Sequence, residues 1–567
     1  MTAAQRHRFW PDAPGVAVLR NYQRGWLRGD VVAGCTVAAY LVPQVMAYAT
    51  IAGLPPVVGL WTMIPCLALY ALLGSSRQMS IGPESTTALM TTATVAPLAG
   101  GDPLRYAVLA ASLAVLVGVL GFLCWVIRLG FIADLLSRPV LVGYMAGVAV
   151  LMIVGQLSNL TGVPVDGVGF LGEISSFLAD LVQFDLATLI MGAVALTFLF
   201  VVSWRWPKVP APLLAVLLGT AAVIVFNLES LGIEVVGPFT RELPRHGLPT
   251  MSDLGLLVLP ALGVLLVGYT DFILTARAFA TRESGRVDAN QELFALGGAN
   301  FATGLLGGFP VSSSGSRTAL AMTAGARTQV YSLVAMVWTL AVILFLGPLL
   351  ARFPTVVLGA IVLFAATKLV DVPGFLRLWQ FRKTEFVLAV VALAGVLVLG
   401  ILNGVLVAVA LSVAEMLQRV ARPHDAVMGF VPGLAGMHDV DDHAGARTVP
   451  GLVVYRYDSP LFFANAEDFR DNALQAVDGS EDPVAWLLLN MEANVEVDIT
   501  AMYALDGLRA DLASRGVVLA LTRVKNDLRI PLAAFGLVDS IGEERIFPTL
   551  PVAVAAYKEW REAPPPA

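Results

Sequence analysis

Apolar runs long enough to cross a bilayer recur along this chain of 567 residues, from residue 31 to about residue 420. A helix needs about 20 mostly apolar residues to span a membrane. Hydrophobic residues make up 57% of the chain and charged residues only 14%, against about 25% charged in soluble domains. These features predict an α-helical membrane protein with a smaller soluble part. The runs divide into fourteen spans or half-spans: 31–50, 55–73, 84–99, 104–127, 132–156, 177–203, 210–227, 254–280, 290–306, 313–325, 328–350, 355–370, 384–401 and 403–420.

Basic residues concentrate in alternate loops, as the positive-inside rule expects of cytoplasmic loops. The first thirty residues form a basic segment, 1–30, without an apolar run that would act as a signal peptide. We therefore predict that the protein lies in the cell (inner) membrane with its N-terminus in the cytoplasm. Because fourteen is an even number, the C-terminus returns to the cytoplasm.

The region after the transmembrane domain, 31–422, has a different character. Residues 423–450 are rich in turn-forming residues and are interpreted as a linker. In residues 451–562, strand-like runs such as "GLVVYRYDS" alternate with helix-like ones, which predicts a small α/β domain.

Several classes of function find no support in the sequence. The net charge of -6 gives no reason to expect nucleic-acid binding. The three cysteines lie in apolar runs at spacings that fit no metal site. We find no metal cluster, no nucleophile paired with a base and no phosphate loop, so we expect no enzyme activity and no cofactor.

Two polar interruptions stand in matching places of the apolar region. "GGFPVSSSGSR" (307–317) opens the tenth segment, and "SIGPESTT" (80–87) opens the third. Seven segments separate them, so the pattern indicates two repeats of seven. Paired interruptions of this kind are typical of inverted-repeat transporters with a binding site at the membrane midplane. An external Ser/Gly loop is the alternative for the second interruption, but it does not explain the pair.

The chemistry of the two interruptions favours an anion. Proline begins a helix well, and the first N–H groups of a helix have no intrahelical partner. Two half-helices that face each other direct two positive dipole ends at one point, which serine and threonine hydroxyls supplement. We expect the donors to come from residues Ser85, Thr86, Thr87, Ser312, Ser313, Ser314 and Ser316.

Several longer motifs resemble the SulP family of anion transporters, also called solute carrier family 26. They lie at 43–60, 69–85, 135–157 and 271–319, and "LVVYRYDSPLFFANAEDFR" with "GEERIFPTLPVAVAAY" resembles the family's STAS domain. The resemblance implies a core of segments 1–4 and 8–11, a gate of segments 5–7 and 12–14, and elevator-like movement of core against gate. It also implies a homodimer and a cytoplasmic STAS domain that is open to regulation by protein partners.

Carried over by position, the resemblance points first to Ser85, Ser314 and Ser316 as anion ligands. Gln44 follows Pro43 in the first segment and is either an amide donor to the anion or part of a buried bond between helices. Arg317 either attracts the anion or pairs with a carboxylate, and an intramembrane arginine favours the first.

Two acids point to a cation-coupled symporter. Asp271 lies inside the apolar run "LLVGYTDFILTA", where a charge is costly. In the family this place is linked to cation or proton coupling; the alternative is a structural partner for Arg317. Glu84 lies beside the predicted anion site, where it repels a dianion unless it is protonated.

Together these features predict a transporter of a small inorganic oxyanion, with sulfate preferred, coupled to a proton or to sodium. Bicarbonate and dicarboxylate symport, anion exchange, a channel and a membrane-tethered regulator are the rivals. In the STAS region, Thr500 is expected to cap a helix, with modification of its hydroxyl as the alternative.

Overall fold

The computed structural model describes residues 13–131, 137–165, 169–206, 209–237, 251–280 and 287–562, without the side chains of residues 251, 252, 402 and 405. The first twelve residues of the basic segment lie outside this description. The chain divides into two compact units, Met1–Ser412 and Val413–Ala567. Each unit has its own apolar core.

The first unit consists of helices with two very short strands. Among the described residues, eight helices are long and apolar enough to cross a membrane. Each of the fourteen predicted segments overlaps at least one helix among the described residues. The helices are α1 Pro14–Arg20, α2 Leu27–Ile51, α3 Pro56–Leu73, α4 Ser85–Ala99, α5 Pro103–Val126, α6 Arg138–Gly155, α7 Leu157–Thr161, α8 Gly169–Ala179, α9 Leu186–Arg205, α10 Ala211–Phe226, α11 Met251–Ala278, α12 Ala289–Leu305, α13 Gly315–Thr323, α14 Val330–Phe345, α15 Gly347–Leu350, α16 Thr355–Leu369, α17 Val372–Phe381 and α18 Lys383–Ala421. The strands are β1 Ile81–Gly82 and β2 Ser312–Ser313.

Two boundaries differ from the sequence prediction. The sixth segment begins at Leu186 and not at residue 177, because the Asp185 side chain accepts a hydrogen bond from the Thr188 N–H (2.7 Å) and starts α9 there. The last two segments lie on one helix, α18, which is interrupted at Gly400 (φ 79°, ψ 172°). A left-handed φ of this kind is one that glycine adopts without steric cost.

The helices pack in two groups. Helices α2 to α5 and α11 to α14 contact one another and contain the segments assigned to the core. Helices α6, α9, α10 and α16 form the second group and contain segments assigned to the gate. Small residues allow the closest approaches: a Cβ added at Gly118 of α5 would lie 2.5 Å from the Phe301 nitrogen of α12. Such close backbone contact is typical of helix pairs in membranes.

The second unit is a six-stranded sheet flanked by helices, with strand order β4-β3-β5-β6-β7-β8. Strands β5 to β8 run parallel, whereas β3 is antiparallel to both β4 and β5. The segment interpreted as a linker, 423–450, therefore contains two strands of the sheet. The elements are β3 Asp425–Phe430, β4 Met437–Asp439, β5 Leu452–Tyr457, α19 Ala466–Asp478, β6 Trp486–Asn490, α20 Ile499–Ser514, β7 Val518–Thr522, α21 Asn526–Phe535, α22 Leu537–Ile541, β8 Ile546–Phe547 and α23 Leu550–Glu562.

Candidate functional site

The two polar interruptions meet through backbone hydrogen bonds. Strands β1 and β2 pair antiparallel, with Ile81 opposite Ser313 and Gly82 opposite Ser312. The Ser314 N–H donates to the Ser80 carbonyl (2.8 Å), and the Ser80 N–H donates to Thr318 Oγ1 (2.9 Å). Irregular backbone at membrane depth must find its partners inside the protein. Here each interruption supplies the partners of the other, and α4 and α13 both begin beside the paired strands.

Gly82 has a backbone conformation that favours glycine, and it lies against the Met63 side chain. Its φ is 153°, and a Cβ added there would lie 2.2 Å from the Met63 Sδ. The prolines do not begin the half-helices, contrary to the prediction. Pro83 precedes the cap of α4, and Pro310 lies five residues before the first residue of α13. Each half-helix instead begins directly after a capping residue. The side chain of that residue accepts a hydrogen bond from a backbone N–H in the first turn of the helix.

Those capping residues differ in charge. Glu84 caps α4: its carboxylate accepts from the Thr86 N–H (2.7 Å) and from the Ser85 hydroxyl. Ser314 caps α13, and its hydroxyl accepts from the Arg317 N–H (3.4 Å) and lies 3.2 Å from the Ser316 hydroxyl. One helix N-terminus thus carries an internal carboxylate and the other a neutral hydroxyl. An external anion is favoured at the second.

The α13 end is also the accessible one. Ser312, Ser313 and Ser314 are buried, whereas Ser316 is exposed and Gly315 is half-buried. Among the described residues, the backbone N–H groups of Gly315 and Ser316 donate to no protein acceptor. These two N–H groups and the Ser316 hydroxyl are the donors best placed to meet an anion.

Arg317 is fully buried (0% exposed) and ties the two interruptions together. Its guanidinium donates to the Pro83 carbonyl (3.1 Å), to Ser80 Oγ (3.3 Å) and to Gln44 Oε1 (3.2 Å). The amide of Gln44 in turn donates to the Tyr48 hydroxyl (3.0 Å). The positive charge therefore lies directly behind the start of α13, and Gln44 takes part in a bond between α2 and α13.

Asp271 of α11 is half-buried beside the second interruption. The Ser313 hydroxyl lies 3.3 Å from its Oδ2, and the Ser312 hydroxyl donates to the Gly268 carbonyl (2.7 Å) on the same helix. Within the described residues, no ion pair joins Asp271 to Arg317, so the structural partnership is not formed.

The sequence analysis missed two parts of this site. Ser80 bonds both Arg317 and Ser314. Asn300 of α12 bonds the N–H and the carbonyl of Val311, just before β2. A buried asparagine in an apolar helix is the signal that could have found it.

In the second unit, the predicted capping role of Thr500 is wrong. The N-cap of α20 is Asp498, whose carboxylate accepts from the Ala501 N–H (2.8 Å). Thr500 is the second residue of the helix and is exposed. A carboxylate caps a helix N-terminus at least as well as a hydroxyl, and Asp498 stands where the chain leaves the extended conformation.

Two family models match the chain. The model of the Sulfate permease family matches residues 27–392, and the model of the STAS domain matches residues 443–553. The STAS match begins inside the segment interpreted as a linker, in agreement with the strands found there.

Curated relatives match over nearly the whole chain. A "Probable sulfate transporter" of Mycobacterium tuberculosis is 56% identical over 549 residues, which cover 96% of this chain and 98% of the relative. "Sulfate transporter 4.1, chloroplastic" of Arabidopsis thaliana is 31% identical and is matched over 93% of this chain and 80% of its own.

Solved structures show the same fold. The murine Solute Carrier 26 family member A9 anion transporter, in its inward-facing state, superposes with a TM-score of 0.87 at 24% identity, over 96% of this chain and 94% of that one. The transmembrane domain of the cyanobacterial bicarbonate transporter BicA gives a TM-score of 0.59 at 23% identity, over 69% of this chain and 98% of its own.

Proposed function

The chain belongs to the sulfate permease family, and from that premise we propose that it is a secondary active transporter that imports sulfate together with protons. The observation that carries the proposal is the pairing of β1 with β2, which places the starts of α4 and α13 side by side. The curated relatives are named sulfate transporters, which supports sulfate as the substrate.

The anion binds at the start of α13. The free N–H groups of Gly315 and Ser316 and the hydroxyls of Ser314 and Ser316 donate to its oxygens. Arg317 does not touch the anion, because its guanidinium is occupied by the bonds described above. Its charge, held in a low dielectric directly behind the helix start, stabilises the anion through space.

Ser85, Thr86 and Thr87 join the site through Glu84. While Glu84 is charged, its carboxylate occupies the N-terminus of α4 and repels an approaching dianion. Protonation removes the negative charge and weakens the bond to the Thr86 N–H. Both helix starts then attract the same anion.

Asp271 is the coupling residue, with Glu84 second. A charged carboxylate at membrane depth is costly, and a dianion beside it raises that cost. Protonation of Asp271 and anion binding therefore favour each other, and the coupling free energy is reciprocal. Gradient-driven accumulation follows if the proton and the anion cross together.

The two helix groups support elevator-like movement, with α2 to α5 and α11 to α14 as the moving core. All proposed anion ligands lie on this core, so the site travels as one piece. The distribution of basic residues between loops supports a cytoplasmic N-terminus and a cytoplasmic STAS unit. As the family resemblance implies, the protein works as a homodimer in the cell membrane.

Uptake of labelled sulfate into proteoliposomes tests the proposal. We expect accumulation driven by an inward proton gradient and unaffected by a sodium gradient at constant pH. Asp271→Asn mimics the neutral acid, so it should bind sulfate without pH dependence and fail to accumulate it. The matched control is Asp102→Asn at the exposed start of α5, where asparagine caps as well as aspartate does.

Three results would contradict separate parts of this proposal. Accumulation of bicarbonate but not of sulfate refutes the substrate. Uptake that follows sodium refutes the proton. Proton-driven accumulation by Asp271→Asn transfers the coupling role to Glu84.

A further inference from the structure

A short amphipathic helix, α17, connects two longer helices of the gate, α16 and α18. The Asp371 carboxylate accepts from the Gly374 N–H (2.8 Å) and starts α17 as a separate helix of 10 residues, which is too short to cross a bilayer. Val372, Leu376 and Trp379 follow one another at spacings of four and three residues, and all three are exposed. An exposed apolar face that includes a tryptophan is typical of a helix at the membrane–water interface.

Aromatic contacts hold α17 against the start of α18. The centroid of the Trp379 ring lies 5.0 Å from that of Phe386, in the first turn of α18. The basic residues that join the two helices also lie over aromatic rings. The Lys383 Nζ is 5.8 Å from the centroid of the Trp379 ring, and the Arg382 Cζ is 5.5 Å from that of Phe381. The positive charges at this end of α17 therefore stand beside its aromatic side chains.

A cavity of about 540 Å³ lies between α17 and the first turn of α6. One arginine from each helix lines it: Arg138, the first residue of α6, and Arg377 of α17. Both are exposed, and Arg377 donates to the Pro373 carbonyl (3.3 Å) and lies 3.8 Å from the Asp371 carboxylate. Among the described residues, the Arg138 side chain has no hydrogen-bond or ion-pair partner. Two loops distant in sequence thus bring arginines to one cavity, on the side that the basic residues assign to the cytoplasm.

We propose that this cavity binds the phosphate headgroup of an anionic phospholipid from the cytoplasmic leaflet. The planar guanidinium group suits a phosphate, because it can donate two parallel hydrogen bonds to its oxygens. The first turn of α6 and residues 371–385 together carry four basic residues and two acids, which leaves a net positive charge. Basic pockets between helices on the cytoplasmic side of a membrane are typical of headgroup sites.

The exposed apolar face of α17 favours a lipid over a soluble phosphate. Val372, Leu376 and Trp379 stand on the same short helix as Arg377, so acyl chains can contact this face while the headgroup stays in the cavity. A soluble ion would leave the apolar face without a partner. Since the headgroup bridges α6 and α17, the bound lipid attaches the gate to the leaflet. This role does not depend on which ion the core carries.

Binding of phosphatidylglycerol to the purified full-length protein tests the inference. The Kd is measured in detergent by native mass spectrometry, with phosphatidylcholine as the neutral reference. A basic residue at a membrane surface contributes a factor of about five in affinity, so the paired substitution Arg138→Gln with Arg377→Gln should raise the Kd about thirtyfold. The matched control is Arg205→Gln at the end of α9, an exposed arginine that lies over the Trp206 ring but outside this cavity. It should keep the wild-type Kd.

Three results would overturn the inference. Wild-type protein that binds phosphatidylcholine as tightly as phosphatidylglycerol has no site for an anionic headgroup. An unchanged Kd in the glutamine pair shows that the two arginines do not form it. Equal competition by sn-glycerol 3-phosphate, which lacks acyl chains, shows that the cavity takes a soluble phosphate ester.

A charge-retaining variant covers the case in which the glutamine pair is less stable than the wild-type protein. Arg138→Lys with Arg377→Lys keeps both positive charges and should bind phosphatidylglycerol more tightly than the glutamine pair does. If the lysine pair loses as much affinity as the glutamine pair, the charges do not hold the headgroup and the inference is wrong. Because no measurement here uses sulfate, failure of the proposed transport function would leave these outcomes unaffected.

Discussion

Replacing Asn300 by leucine should loosen the anion site without touching an anion ligand. Asn300 lies on α12 and is fully buried. Its side chain accepts from the Val311 N–H (2.9 Å) and donates to the Val311 carbonyl (3.1 Å). These bonds hold the extended chain immediately before β2. Leucine has a similar volume, so the substitution removes the bonds and leaves the packing nearly intact.

The magnitude follows from the two backbone groups left behind. A buried group that loses its partner costs about 1–3 kcal/mol. The N–H and the carbonyl of Val311 both lose theirs, so the free energy of unfolding should fall by about 2–6 kcal/mol. Because β2 and the Ser314 cap follow Val311 directly, the KM for sulfate should rise as well.

Thermal unfolding in detergent and sulfate uptake measure the two effects. The matched control is Asn403→Leu on α18, an exposed asparagine whose side chain donates only to the Leu399 carbonyl (3.3 Å). Because leucine is favoured at an exposed position of a membrane helix, this substitution should not lower the stability. If Asn300→Leu unfolds no earlier than Asn403→Leu and keeps the wild-type KM, the clamp on Val311 does not position the site.

Other regions of the chain give further predictions. Gly82→Ala should lower the Tm and weaken sulfate binding, because a φ of 153° strains a residue that has a Cβ and the Met63 side chain would have to move; a wild-type Tm and wild-type binding in this variant would show that the β1–β2 pair can shift without loss. Truncation after Arg422 should leave the Kd for sulfate unchanged, since the proposed ligands all lie in the first unit; complete loss in a well-folded truncate counts against this. Burial and the bond to Asp425 raise the pKa of Tyr455, so the folded pKa lies above the unfolded one. The STAS unit should therefore lose stability as the pH rises above about 10. In Tyr455→Phe, the urea concentration at the unfolding midpoint should depend less on pH between about pH 9 and 11 than it does in the wild-type protein.

The helical architecture was predictable because apolar length and glycine–proline interruptions are local properties of the sequence. Matching the interruptions at 80–87 and 307–317 was enough to predict that they meet. Their backbone pairing was not predictable, because strands of two residues carry no alternation pattern. In the segment interpreted as a linker, β4 has only three residues, and the six residues of β3 were passed over because the segment is rich in turn-forming residues.

Capping was the weakest part of the prediction. Glu84 was recognised as an acid near the site but not as the cap of α4, and Asp498 was passed over in favour of Thr500. Several polar residues stand near each helix start, and only the backbone conformation decides which of them bonds the free N–H groups.

The pairing of β1 with β2 has a consequence for biogenesis. The Ser80 N–H finds its acceptor 238 residues later in the chain, at Thr318. Until residues 312–318 have been synthesised and inserted, the backbone around Gly82 has no partner at membrane depth, where each unsatisfied group costs several kcal/mol. The segment around Gly82 must therefore wait in the translocation machinery or in contact with water, and a nascent chain arrested before residue 312 should be a substrate for membrane quality control.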